Sequence, residues 1–263
     1  MGGYLIMATN RFYAPRIRIP DVLERGRSYN ADLPVYRDNA IVTPTVATFQ
    51  LIDGNGTDII PTTAATISGG IANYAILAGS LPSTLSYSDN YMQIWTLTLD
   101  GEIHIFRSPC ALAKSSLYPV VSDLDLEALH ADLSNIRPSG QSSYQIKLDE
   151  AWCQIIQKLR DMGNLEYLIM SPESLRAVHQ SLTLYFIYRD ADSTGLGDGR
   201  YIDLAREYKA EFETDFKTIQ FKYDVDQDGL IDDDGKKRAG YPVIFTNRTP
   251  SPGRRASTTW RRR

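Results

Sequence analysis

Apolar positions along this chain follow two periods, and one gives way to the other near residue 115. Between Val22 and Lys114 apolar and polar residues alternate, as in Ala47-Thr48-Phe49-Gln50-Leu51 and in QIWTLTL from Gln93 to Leu99. That is the period of half-buried strands. Beyond Tyr118 the apolar residues recur every three to four positions, the period of helices packed on one another.

Turn signals divide the first part: Asp53-Gly54-Asn55-Gly56, Gly69-Gly70 and Asp100-Gly101. The last stands between QIWTLTLD and GEIHIFR, a strong hairpin signal. The runs predict about seven short strands, the number of a small antiparallel sandwich of immunoglobulin-like architecture. The Cys–Trp–Cys hallmark of antibody domains is absent, so only the architecture is predicted, over residues 22–114. Residues 1–21, polar and basic with Pro15 and Pro20, read as a poorly structured extension.

The helical part is organised around Ser171–Ala191 (SPESLRAVHQSLTLYFIYRDA). A Ser precedes a Pro at the first helical position, where the missing N–H costs nothing. Leu175, Val178, Leu182, Tyr185, Phe186 and Tyr188 follow at mostly helical spacing, and no charged residue occurs from Ala177 to Tyr188. A helix so apolar needs neighbours on more than one side, yet is too short to span a bilayer.

Two amphipathic helices flank it. Ser142–Met162 carries Leu148, Trp152, Ile155, Ile156 and Leu159 on one stripe, a capping box at Ser142 and Gln145, and a stop at Gly163. Gly199–Gln220 carries Tyr201, Leu204, Ala205, Tyr208, Phe212, Phe216 and Ile219. A shorter helix, Ser122–Ser134, precedes them with Ser122 as its cap, and residues 118–220 are read as one bundle. Within 221–247, Phe221–Val225 and Tyr241–Asn247 read as a β-hairpin around an Asp-rich turn. The fold class is α+β in two domains.

Charge adds an asymmetry. Gly235–Arg263 holds nine Lys or Arg and no Asp or Glu, so the net charge of −4 leaves −13 on the remainder. The last stretch, RTPSPGRRASTTWRRR at 248–263, is too polar to fold alone and reads as an extended interaction arm. Arg254, Arg255, Arg261, Arg262 and Arg263 around Trp260, with Arg248, suit either phosphates with a stacking aromatic or an acidic protein groove with Trp260 as anchor. The acidic remainder offers no second basic surface, which favours protein docking. Cys110 and Cys153 fall in different parts and are expected as free thiols, as in a cytoplasmic protein. No signal peptide is read in MGGYLIM, nor a membrane-spanning segment.

The sharpest motif is Asp224-Val225-Asp226-Gln227-Asp228-Gly229-Leu230-Ile231-Asp232. Carboxylates at positions one, three, five and nine with Gly at six match a calcium loop, in which alternate oxygens wrap a hard cation. Position twelve is Gly235, where a bidentate Glu belongs. The expectation is therefore a solvent-exposed turn with no cofactor, Asp224, Asp226, Asp228 and Asp232 being the residues a Ca²⁺ would use. Asp190, Asp192, Thr194 and Asp198 are sparser and read as loop polarity. His104, His130 and His179 lie in no nucleophile or metal motif, His179 reads as a packed core residue, and no enzyme is predicted.

The order YPVVSDLDLEALHADL, SSYQIKLDEAWCQIIQKLRDMG, SPESLRAVHQSLTLYFIYRDA, YIDLAREYKAEF resembles the head–tail connector, or adaptor, proteins of tailed bacteriophages and related gene transfer agents. The resemblance covers about Tyr118 to Tyr223, and the N-terminal sandwich looks like a domain appended in longer members. It implies a structural virion protein at the neck, assembled in the host cytoplasm. Such proteins form a ring, commonly a dodecamer, between the portal protein and a downstream neck, stopper or tail protein. It also implies that the arm at 248–263 docks on the portal and that genomic DNA slides through a channel whose acidic wall repels phosphate. Two other classes stand beside it. One is a calcium-dependent binding or adhesion module with an immunoglobulin-like domain, against which the missing signal peptide and unpaired cysteines argue. The other is a hydrolase with Asp-rich metal sites, against which the lack of a His–carboxylate motif argues.

Overall fold

A computed structural model describes residues 13–16, 19–138, 140–193, 199–232 and 237–238, which form a strand-rich N-terminal region and a helical C-terminal region. The strands are β1 (Ala14–Pro15), β2 (Asp21–Glu24), β3 (Tyr29–Leu33), β4 (Val35–Arg37), β5 (Ala40–Ile41) and β6 (Val46–Ile52). They continue with β7 (Asp58–Ala64), β8 (Thr66–Ser68), β9 (Ile71–Ile76), β10 (Ser88–Leu99) and β11 (Glu102–Ala113).

A five-stranded sheet runs β2-β11-β10-β6-β7, a second of three strands runs β3-β9-β8, and a small one runs β1-β4-β5. The β10–β11 hairpin turns at Asp100-Gly101, where φ is +50° and +84°. Both residues sit in the left-handed region, which matches the turn to the twist of the strands. Alternation decides which side chains point inward. Phe49, Leu51, Trp95, Leu97 and Leu99 are buried and join Ala31, Leu33, Ala72 and Ile76 of the second sheet in one core. There Phe49 meets the Trp95 ring edge-on at 4.9 Å and stacks on Tyr74 at 4.6 Å.

Three features differ from the sequence expectation. The pairing is not purely antiparallel, because β2 runs parallel to β11, Cys110 opposite Asp21 through Ala113 opposite Glu24. The segment before Asp21 is tied down as far as it is described. β1 pairs with β4, and Tyr13 donates its hydroxyl to Asp100 at 2.7 Å. The strands also outnumber the expectation, since two- and three-residue pieces such as β4, β5 and β8 are too short to show a period.

The helices are α1 (Asp123–Leu129), α2 (Leu133–Ile136), α3 (Gln145–Asp161), α4 (Arg176–Ser193) and α5 (Arg200–Thr218). The expected helix Ser122–Ser134 is broken at His130, whose extended backbone separates α1 from α2. At the start of α1 the Asp125 carboxylate accepts the Ser122 N–H at 2.8 Å and its hydroxyl at 2.7 Å. The capping box expected at Ser142 and Gln145 does not form. Instead α3 begins three residues later, with the Gln145 N–H bonded to the Ser143 hydroxyl at 2.8 Å. Gly163 does end it: with φ +76° its N–H reaches the Arg160 carbonyl, and the Asn164 N–H reaches that of Leu159. That pair of bonds satisfies the last turn. Pro172–Leu175 form a 3₁₀ turn that leads into α4.

α4 is buried nearly all round, as its sequence requires. Val178, Leu182 and Phe186 pack with Ile155, Ile156 and Leu159 of α3 and Phe212 and Phe216 of α5. Leu184, Ile187, Tyr188 and Ala191 face a separate cluster with Leu126, Leu133, Tyr144, Leu148, Tyr201 and Ala205. One helix therefore serves two cores, where the sequence suggested one. The first core also takes in Ala111 and Ala113 of β11, so the last residues of that strand are part of the helical packing. Two further strands, β12 (Gln220–Phe221) and β13 (Lys237–Arg238), pair antiparallel. The expected strand Tyr241–Asn247 lies outside the described residues.

Candidate functional site

The Asp-rich loop grows directly out of the helical core. Phe221 and Tyr223 are fully buried, and the Tyr223 hydroxyl donates to Asn164 Oδ1 at 3.0 Å. Tyr223 bridges Ile169 in antiparallel fashion, and the Asp224 N–H continues to the Leu168 carbonyl at 2.9 Å. The chain then turns at Gln227 (φ +57°) and Gly229 (φ +95°) and returns, with the Asp232 N–H on the Tyr223 carbonyl at 3.0 Å.

The loop is held by its own carboxylates. Asp224 Oδ1 accepts the Asp228 N–H at 3.0 Å and Oδ2 the Gly229 N–H at 2.8 Å. Asp226 accepts the Asp228 N–H at 3.1 Å, and Asp232 the Val225 N–H at 2.7 Å. Asp224, expected in an exposed turn, is only 2% exposed. Burial holds its carboxyl above the usual carboxylate range, against the two N–H bonds that favour the charge. Oxygens of Asp224, Asp226 and Asp232 come within 4.8 Å of one another, close enough to hold one metal ion. Asp228 is not in that cluster; its carboxylate accepts the Leu230 N–H at 2.6 Å.

Lys114, just past β11, was not singled out by any sequence pattern. Its ammonium donates to the Asp228 carbonyl, and its N–H donates to Gln227 Oε1 at 3.0 Å. It clamps the loop to the end of the long hairpin. A Cβ at Gly229 would collide with the Lys114 side chain, so the glycine serves both the turn and this approach.

Apolar side chains stay outside the cores at two places in the helical region. On the loop, Val225, Leu230 and Ile231 are exposed, Leu230 by 70%. At the other end of α3, Ile146 is 64% exposed, beside α1 with Leu124 at 76% and Leu129 also exposed. The Asp123 carboxylate accepts the Tyr144 N–H at 2.9 Å, which sets the starts of α1 and α3 side by side.

The other predicted residues divide as follows. Asp190 pairs with Lys147 and Arg189. Thr194 and Asp198 lie outside the described residues, as do Arg248, Arg254, Arg255, Trp260, Arg261, Arg262 and Arg263. Cys110 and Cys153 are free thiols, and burial pushes Cys110 up to about 12. His179 is fully buried beside Trp152, as expected of a core histidine. No described helix is long and apolar enough to cross a membrane.

No family model matches this sequence, and no curated protein matches it. Among solved structures, an engineered protein from the Northeast Structural Genomics Consortium is similar in part. It is 12% identical, covers 39% of this chain and gives a TM-score of 0.29, too low to carry an argument. The match spans about a fifth of that protein's length (20%).

Proposed function

We propose that this chain is a structural subunit that assembles with copies of itself into a ring, as the head–tail connectors of tailed bacteriophages do. The observation that carries the reading is that apolar side chains stand exposed near both ends of α3: Leu124, Leu129 and Ile146 at one, Val225, Leu230 and Ile231 at the other. A ring built head to tail needs two different surfaces on each subunit, one to meet the other on the next copy. In this reading the strand-rich region is an appended immunoglobulin-like domain, and the loop faces a neighbouring subunit or the next neck protein. The basic arm at 248–263 docks on the portal protein, Trp260 filling an apolar pocket while the arginines pair with carboxylates. The chain's −13 outside the basic stretch suits a channel in which DNA slides without adhering. Sedimentation velocity and negative-stain electron microscopy of the purified protein test this: closed rings are expected, and a strict monomer at high concentration speaks against it.

A second reading is favoured by the gathered carboxylates of Asp224, Asp226 and Asp232. They would hold a Ca²⁺, as in a calcium-dependent binding module, with Gly229 supplying the sharp turn such loops use. Position twelve, Gly235, brings no carboxylate, which predicts a weak site.

A further inference from the structure

Two polar side chains stand where the strand-rich core should be apolar, away from the loop and independent of the assembly reading. Gln93 of β10 and Ser108 of β11 are cross-strand partners at inward-facing positions, in one row with Leu51 of β6. They are 2% and 5% exposed. Burying such groups is costly unless they are hydrogen-bonded. Gln93 meets half of that need, its Nε2 donating to Asp21 Oδ2 at 2.9 Å. Its Oε1 has no partner among the described residues. The Ser108 hydroxyl has only the carbonyl of the next residue, Pro109, at 3.4 Å, which is long for such a bond.

Both side chains line a cavity of about 390 Å³, bounded by β3, β9, β10, β11 and, on α3, Cys153. Small-molecule pockets ordinarily measure about 300–1,000 Å³. Among the described residues, the unpartnered side-chain atoms sealed from any space lie elsewhere, at Arg25, His104, Arg137, Glu166 and His179. The Gln93 oxygen is not one of them, so the little surface it keeps is open to the cavity. Ile19, Leu33, Pro34 and Ile71 supply apolar wall. Arg16, Asp21 and Asp32 supply charge, Arg16 and Asp32 from exposed positions at the mouth. Burial, and then the charge of Asp21, hold the Asp32 carboxyl above the usual carboxylate range, so the two carboxylates lie near one another. Among the described residues, Arg16 forms no ion pair with either. Opposite charges thus face one space without meeting across it.

We infer that this cavity binds a small apolar α-amino acid as its zwitterion. The ammonium donates to Asp21, Asp32 and Gln93 Oε1, the carboxylate accepts from Arg16, and the side chain rests on Leu33 and Ile71. An ammonium brings donors and no acceptor, which is what the unpartnered amide oxygen and the two carboxylates require. The planar guanidinium of Arg16 suits a carboxylate. A simple anion would meet both aspartates, and a simple cation would leave Arg16 unmatched. A hard metal ion takes more oxygens than this wall offers.

Calorimetric titration of the full chain with L-valine tests the site. Two matched probes accompany it: 3-methylbutanoate lacks the ammonium of valine, and isobutylamine lacks its carboxylate. Saturable binding of one valine per chain is expected, with each probe weaker by about tenfold or more, as for one lost charge-assisted contact. Asp32→Asn and Arg16→Gln, both at exposed positions, should each weaken valine by about tenfold and leave the melting curve unchanged. Gln93→Met removes the buried acceptor at similar size and should weaken valine as well; its melting curve reports whether the core still packs, and the two surface variants decide the matter if it does not. Either probe binding as tightly as valine, unchanged affinity in either surface variant, or no saturable heat with valine, which would leave the cavity to water, would overturn the assignment.

Discussion

His179 on α4 donates from Nε2 to the main-chain carbonyl of Leu148 on α3, 3.0 Å away, and its Nδ1 has no partner among the described residues. The ring is fully buried, and burial holds its pKa below the usual imidazole value. The unfolded chain takes up a proton near pH 6.5 that the folded chain resists. The stability this histidine contributes is therefore complete above that pH and is lost as pH falls through the folded pKa. Urea melts between about pH 7.5 and pH 5 should show it. His179→Gln keeps a donor for Leu148 without titrating, so its profile is expected to be flatter; identical profiles would assign the titration elsewhere.

Phe186 is 3% exposed between α3 and α5. Phe186→Ala is expected to lower stability by about 3–5 kcal/mol, as for a buried Phe that leaves a cavity. Leu129→Ala, on the exposed side of α1, should change it by only about 0.5 kcal/mol. Denaturant melts of the two variants separate a core role for α4 from a peripheral one.

Gly229 turns the acidic loop at φ +95° against Lys114. Gly229→Ala should cost about 1–3 kcal/mol from backbone strain, with a further penalty if Lys114 is displaced. In the unaltered protein, calcium is expected to bind only at about 10⁻⁴–10⁻³ M, the range of weakly held sites. Micromolar binding in calorimetry, abolished by Asp226→Ala, would show instead that the twelfth ligand is dispensable here.

Leu124→Asp and Leu230→Asp place a charge at the two ends of α3, both on exposed positions. Each should leave the melting temperature of the monomer unchanged and abolish the proposed ring assembly. If either variant still assembles, that patch is not a subunit contact.

Removal of residues 248–263 should likewise spare the fold and the melting temperature. Loss of attachment to portal rings in electron micrographs is the expected result. Truncated protein that still decorates portals would place docking elsewhere. DNA binding that resists moderate salt and vanishes on truncation would favour the nucleic-acid reading of the arm.

The helices were legible because burial follows period: the stripe Leu148, Trp152, Ile155, Ile156, Leu159 is the buried face of α3. The uncharged run in α4 correctly indicated a helix enclosed on several sides, but not that it divides two cores, since period reports burial and not which neighbour provides it. The hairpin at Asp100-Gly101 was legible from two residues. The parallel β2–β11 pair was not, because a four-residue strand carries no mark of its partner. At the loop, the spacing of Asp224, Asp226 and Asp232 anticipated their gathering, whereas the burial of Asp224, whose N–H is tied to the Leu168 carbonyl of a distant turn, left no mark in the spacing.

The β10–β11 hairpin has twelve residues in each strand and spans roughly 40 Å at strand rise. Its far end is the Asp100-Gly101 turn, where the Asp100 carboxylate accepts from Tyr13 and Arg37, and its root is Ala111 and Ala113, wedged into the packing around α4. Lys114 fastens the same root to the acidic loop. Successive residues of the root turn to different interiors, Cys110 and Leu112 to the strand-rich core and Ala111 and Ala113 to the helical one. The two regions therefore meet on one strand, and a larger side chain at Ala111 or Ala113 would disturb the helices through the sheet that carries it.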